Sequence, residues 1–167
     1  TKLQKCFISV TFSSFGYQRL LCLRRVPHMS KSQGLSKDKN WWRQASVYQI
    51  YPRSFADSNG DGIGDLKGIT SRIPYLKSLN IDAVWLSPFY PSALVDGGYD
   101  VDNYRDVDPK LGTLADFDEM LAALHKVGIR VYVDIVPNHS SNLHDWFKEA
   151  IAAKPGSKAR SRYIFRD

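Results

Sequence analysis

Three short runs of strand-forming residues, separated by helical patterns, constrain this chain more than any other feature of its sequence. Residues 46–51 (SVYQIY), 82–86 (DAVWL) and 129–135 (IRVYVDI) are rich in β-branched and aromatic side chains, which suit a pleated, packed surface. The third is nearly continuous in apolar residues, the pattern of a strand buried on both faces. Between the first two, Leu66, Ile69, Ile73, Leu76 and Leu79 recur at spacings of three and four. That stripe predicts a helix with one buried face, and Pro74 inside it predicts a kink or a restart. Between the second and third, Thr113 with Asp116 predicts a capping box opening a helix whose apolar face is Leu114, Phe117, Leu121 and Leu124, with Gly128 as its C-terminal cap. Residues 142–153 predict a further helix. Strands alternating with helices imply right-handed βαβ units and a parallel sheet. Two architectures fit, an open doubly wound sheet and a (β/α)8 barrel. Both put their chemistry at the C-terminal ends of the strands, in the loops 52–65, 87–112 and 136–145.

Composition separates two unlike parts. The 167 residues are 43% hydrophobic and 24% charged, which excludes a disordered or collagen-like chain. No apolar run approaches the roughly 20 residues of a membrane span, so no membrane association is expected. The net charge of +6 suggests a phosphate-binding surface. However, eight of the 23 basic residues and only one of the 17 acids lie in residues 1–40, a net of +7, which leaves residues 41–167 at −1. A nucleic-acid partner is therefore not expected for the folded part. Cys6 and Cys22 both fall in the first forty residues, so the larger part offers neither a disulfide framework nor a Cys-based zinc site. Residues 1–40 are expected to be a basic extension outside the fold. Met29 is favoured as the start, with upstream sequence before it, over a targeting segment.

The first loop sets Asp57, Asn59, Asp61 and Asp65 at odd positions among Gly60, Gly62 and Gly64. Its first half matches the D-x-[DN]-x-[DN]-G half of a calcium loop, because alternate oxygens and a Gly turn let several ligands converge on a hard cation. The twelfth position is Gly68 rather than the bidentate Glu, and no helix precedes Asp57. A solvated Asx-turn is the competing reading. The second loop holds DGGYDVDNY, with Asp96, Tyr99 and Asp100 close together. Aromatic faces and carboxylates are what a sugar ring needs, although Gly-Gly-Tyr-Asp also makes an ordinary turn. At the third strand's end stands 134–139 (DIVPNH), a carboxylate, an Asn and a His at the sheet's mouth. His125 and His144 sit on the predicted helices without a motif. The only Glu residues after Asn40, Glu119 and Glu149, also fall on predicted helices.

Taken together, WWRQASVYQIYPRSFADSNGDGIGDLKGI, WLSPFYPSALVDGGYDVDNY and DIVPNHSSNLHDWF resemble the start of the α-amylase family, glycoside hydrolase family 13, in its α-glucosidase and oligo-1,6-glucosidase branch. The resemblance covers residues 41–167. It implies an α/β fold made of the first three βα units of a (β/α)8 TIM barrel, stopping where the family's inserted domain begins after strand three. It implies a retaining, cytoplasmic α-glucosidase acting on oligosaccharides or disaccharides, with trehalose synthases and other glucosyl-transferring members sharing several of the same elements. Asp96 would bind the terminal glucose hydroxyls, and Tyr99 and His139 would line the subsite of the sugar that is cleaved. Asp57, Asn59, Asp61, the carbonyl of Ile63 and Asp65 would hold one structural calcium ion. The reacting carboxylates of the family follow strands four, five and seven, so no catalytic residue is expected among these 167, and the chain alone is expected to be inactive. A calcium-binding module without catalysis is the alternative from another class.

Overall fold

The computed structural model describes residues 35–166. The expectations for residues 1–34 lie outside the described residues. The chain divides into two compact units, Thr1–Ser30 and Lys31–Asp167, and the fold below is that of the second.

Three parallel strands, β1 (Val47–Ile50), β2 (Ala83–Leu86) and β3 (Arg130–Val133), pair in sequence order. The register sets Val47 beside Ala83 and Arg130, and Ile50 beside Leu86 and Val133. Helices fill each crossover: α1 (Pro52–Phe55), α2 (Leu66–Ser71) and α3 (Ile73–Ser78) before β2, and α4 (Leu114–Lys126) before β3. A last helix, α5 (Asp145–Ala152), follows β3.

The helical stripe forms as its spacing demands, in two pieces. Pro74 has no N–H for the carbonyl four residues back, so the chain turns at Arg72, whose amide bonds to Ile69 instead, and restarts as α3. The α4 caps form as predicted. Thr113 Oγ1 accepts from the Asp116 amide while Asp116 accepts from the Thr113 amide. At the other end Gly128, at φ +86°, lets its own amide reach the His125 carbonyl and that of Ile129 reach Leu124.

These helices cover one face of the sheet. Ile50, Val84 and Leu86 pack with Leu66, Ile69, Leu76, Met120 and Leu124 into one core. Two expectations are corrected here. Leu114, the first helical residue of α4, is exposed, and Met120 takes its place because 117, 120 and 124 are the positions that face the sheet. The third strand is not buried on both faces, since Tyr132 and Val133 are exposed. Among the described residues β3 is an edge strand, and the face opposite the helices is open. There Val47, Trp85, Tyr132 and Ile135 line a shallow hollow of about 420 Å³. At that face, Trp41 stacks on Tyr132 with Arg130 4.0 Å above its ring, and Arg130 donates to the Ser36 carbonyl at 2.6 Å. The sheet's body therefore takes in residues just before Trp41, ahead of the expected boundary. Among the described residues no helix is long and apolar enough to cross a membrane.

Candidate functional site

The loop after β2 and the segment after β3 meet at the C-terminal end of the sheet, where parallel βα folds place their chemistry. Asp100 organises the first of them. Its buried carboxylate accepts from Ser92 Oγ and from the amides of Val95 and Asp96. Burial opposes its ionisation, and these bonds together outweigh burial and hold its pKa below the usual carboxylate value. Asp100 is thus a scaffold of the loop, and Asp96 is left exposed. Gly97 and Gly98, both at positive φ, turn the chain so that Tyr99 points back over the strands.

Three of the residues expected from sequence converge here. Tyr99 Oη donates to Asp134 Oδ2 at 3.1 Å. His139 Nε2 lies 3.9 Å from Asp96 Oδ2, with both side chains open to solvent. Such an exposed pair is worth little on its own, and its polar atoms remain available to a ligand. Burial, followed by the Asp134 carboxylate, pushes the Tyr99 hydroxyl above its ordinary pKa, so it stays a donor well past neutral pH.

Two further tyrosines of the same loop reach this segment and went unnoticed in the sequence. Tyr90 Oη donates to the Asp134 carbonyl at 2.9 Å, and Tyr104 Oη stands 2.8 Å from the Val136 carbonyl and 2.6 Å from that of His139. Only the density of Tyr and Asp in 87–112 signalled them. Beyond His139 opens a cavity of about 870 Å³, lined by Tyr104, Asn138, His139, His144, Trp146 and Tyr163 among others. His144 corrects its expected place on a helix. It is the buried N-cap of α5, its Nδ1 accepting from the Trp146 amide at 3.0 Å.

The calcium-loop candidates lie elsewhere, in the loop before α2. Asp57 accepts from the amides of Asn59, Gly60 and Gly62, and Asp61 from that of Ile63. The Gly62 bond, then that of Gly60, lowers the Asp57 pKa. Asp65 is set apart. It is buried, caps α2 through the Gly68 amide, and accepts both the amide and the hydroxyl of Ser58. Among the described residues no three His, Cys, Asp or Glu side chains gather as a metal site. The donor chemistry still suits a hard cation, because two exposed acids, the Asn59 amide oxygen and a main-chain carbonyl supply oxygens alone.

A parallel βα sheet with acids, tyrosines and a histidine gathered at its strand ends places the chain among the βα-barrel proteins. Residues 49–167 match the alpha amylase catalytic domain, and the chain belongs to the α-amylase family. It is 53% identical over 133 residues to a probable alpha-glucosidase of Rhizobium meliloti, covering 80% of this chain and 24% of that protein. It is 56% identical over 137 residues to Maltase 1 of Drosophila virilis, covering 82% and 21%. It is also 51% identical over 129 residues to an oligo-1,6-glucosidase of Parageobacillus thermoglucosidasius, covering 77% and 23%. Among solved structures, a MutB mutant in complex with the substrate sucrose superposes with a TM-score of 0.74 at 51% identity, over 78% of this chain and 23% of that one. The chain thus spans about a quarter of the length of the relatives it matches. Its three βα units are the first three of a (β/α)8 barrel, which decides between the two architectures left open by the sequence.

Proposed function

We propose that these residues form the substrate-binding edge of a cytoplasmic, retaining α-glucosidase that hydrolyses short oligosaccharides or disaccharides. The observation that carries this reading is the meeting of Asp96, Tyr99 and His139 at the strand ends, in a chain about half identical to named α-glucosidases. In the complete enzyme, Asp96 and His139 bind hydroxyls of the terminal glucose and the Tyr99 ring packs against its apolar face. Two carboxylates outside these residues then carry out a double displacement through a glycosyl-enzyme intermediate. The reading also gives the loop of Asp57, Asn59, Asp61, Ile63 and Asp65 one calcium ion, which ties the loop by neutralising its acids.

The complete reading frame that contains these residues provides the test. Glucose released from maltose or isomaltose, and lost on His139→Ala, is the expected result; a complete protein inert toward every α-glucoside overturns the reading. Residues 1–167 alone are expected to release no p-nitrophenol from its α-glucoside above the blank rate. For the ion, calorimetry with calcium alone on the wild-type chain and on Asp61→Ala is expected to show binding that the substitution weakens at least tenfold. Equal binding by both proteins removes the ligand assignment.

A second reading, transfer of the glucosyl group instead of hydrolysis, draws support from structural relatives that include trehalulose synthase MutB and the α-glucosyl transfer enzyme XgtA. Product analysis with sucrose separates the two. Free glucose and fructose indicate hydrolysis, whereas an isomeric disaccharide indicates transfer.

A further inference from the structure

Tyr104 meets the segment that carries His139 in an unusual way. A phenol has one proton to donate, yet its oxygen stands within hydrogen-bond distance of two carbonyls three residues apart, those of Val136 and His139. The two carbonyls therefore converge on one point, and the turn between them, which contains Pro137 and Asn138, is closed around the Tyr104 hydroxyl. Tyr90 holds the start of the same segment through the Asp134 carbonyl. No regular element does this work, because β3 ends at Val133 and α5 begins at Asp145. Burial keeps the Tyr104 hydroxyl protonated well into alkaline conditions.

We propose that Tyr104 is a positioning residue for His139: its hydroxyl fixes the 136–139 turn and so sets where the imidazole stands relative to Asp96 and an incoming sugar. The ring of Tyr104 is not needed to touch the sugar. The sugar half of this statement rests on the glucosidase reading, whereas the effect on the turn does not.

The experiment treats the two halves separately. In the 167-residue chain without any sugar, hydrogen exchange read by mass spectrometry is expected to rise roughly fivefold in peptides spanning 136–141 on Tyr104→Phe. That is the size a single hydrogen bond of ordinary strength gives. Peptides of α4 are expected to keep their rates, which separates a local release from general destabilisation. Tyr48→Phe, which removes a hydroxyl paired with Tyr75, is expected to leave 136–141 unchanged. Unchanged exchange at 136–141 in Tyr104→Phe overturns the proposal, as does a rise spread evenly over the chain. In the complete enzyme, the same variant is expected to raise KM for maltose at least fivefold while keeping the wild-type pH optimum. A complete enzyme that is active and unaffected by Tyr104→Phe overturns the positioning role. An inactive wild-type enzyme would sink the glucosidase reading, leaving exchange to judge the turn.

Discussion

Tyr99 and Asp134 lie 35 residues apart and share one hydrogen bond, from the phenol to carboxylate Oδ2 at 3.1 Å. That bond ties the loop after β2 to the exit of β3 and leaves His139 and Asp96 facing each other beside it. Because burial and then the Asp134 carboxylate raise the Tyr99 pKa, its contribution to stability is fully present below the unfolded value of about 10 and is lost as pH rises through the higher folded value. Absorbance titration of phenolate is expected to show a tyrosine ionising later than in the denatured chain. In Asp134→Asn that late component moves toward lower pH. A titration curve identical in the two proteins would show that the bond has no hold on Tyr99.

The capping box of α4 gives a second pH-dependent term, of opposite sign. Bonds from the Thr113 side chain and then its amide lower the Asp116 pKa, so the stabilisation is present above the unfolded value of about 3.9 and is lost as pH falls through the lower folded value. Thr113→Ala is expected to cost about 1 kcal/mol at pH 7, the usual loss for an N-cap. Urea midpoints measured at pH 7 and again at pH 2 check this. The gap between wild type and variant should narrow at the lower pH, and a constant gap would show that the carboxylate takes no part.

What the sequence revealed, and what it hid, follows from range. Features written in neighbouring residues were legible: the three strands, the Thr113–Asp116 box, the Gly128 cap and the break at Pro74 all depend on groups within four positions of one another. The barrel and the roles of Asp96, Tyr99 and His139 came from resemblance, since composition and spacing left two architectures open. The hidden features are long-range or depend on neighbours. Tyr90 and Tyr104 reach carbonyls 44 and 32 residues away, and a carbonyl carries no residue-type signal. The exposure of Val133 depends on β3 being an edge strand among the described residues, which an apolar run cannot announce. His144 caps through a ring nitrogen, outside the Ser, Thr, Asp and Asn set that marks a helix start.

Two glycines near the metal-loop candidates separate space from conformation. At Gly68 an added Cβ would lie 1.9 Å from the Ala56 carbonyl oxygen, so α2 could no longer rest against the end of α1. At Gly60 a Cβ meets nothing within 4 Å, and only the backbone, at φ +82°, resists it. Gly68→Ala is expected to cost upwards of about 3 kcal/mol, the high end for overpacking, and Gly60→Ala about 1 kcal/mol, as for left-handed backbone. Urea midpoints rank the two. The reverse order would mean that the loop, rather than the helix contact, limits stability.

The buried ion pair between Arg53 and Asp108 permits the sharpest test of how the first loop is held to the second. Both side chains are almost wholly excluded from water, at 12% and 7% exposure, and the other Asp108 oxygen accepts from the Lys110 amide. Taking two charges out of water costs several kcal/mol, which their attraction offsets only while both are present. Arg53→Met alone strands the carboxylate and is expected to cost about 3–5 kcal/mol, a large part of the stability of an ordinary domain. Asp108→Leu alone strands the guanidinium and should cost a similar amount. The double variant, Arg53→Met with Asp108→Leu, leaves no buried charge and places apolar volume where the pair stood. It is expected to be more stable than either single variant, despite losing the Lys110 contact. Chemical denaturation of all four proteins closes the cycle. Additive losses in the double variant would show that the two residues act independently and that something else joins the loops.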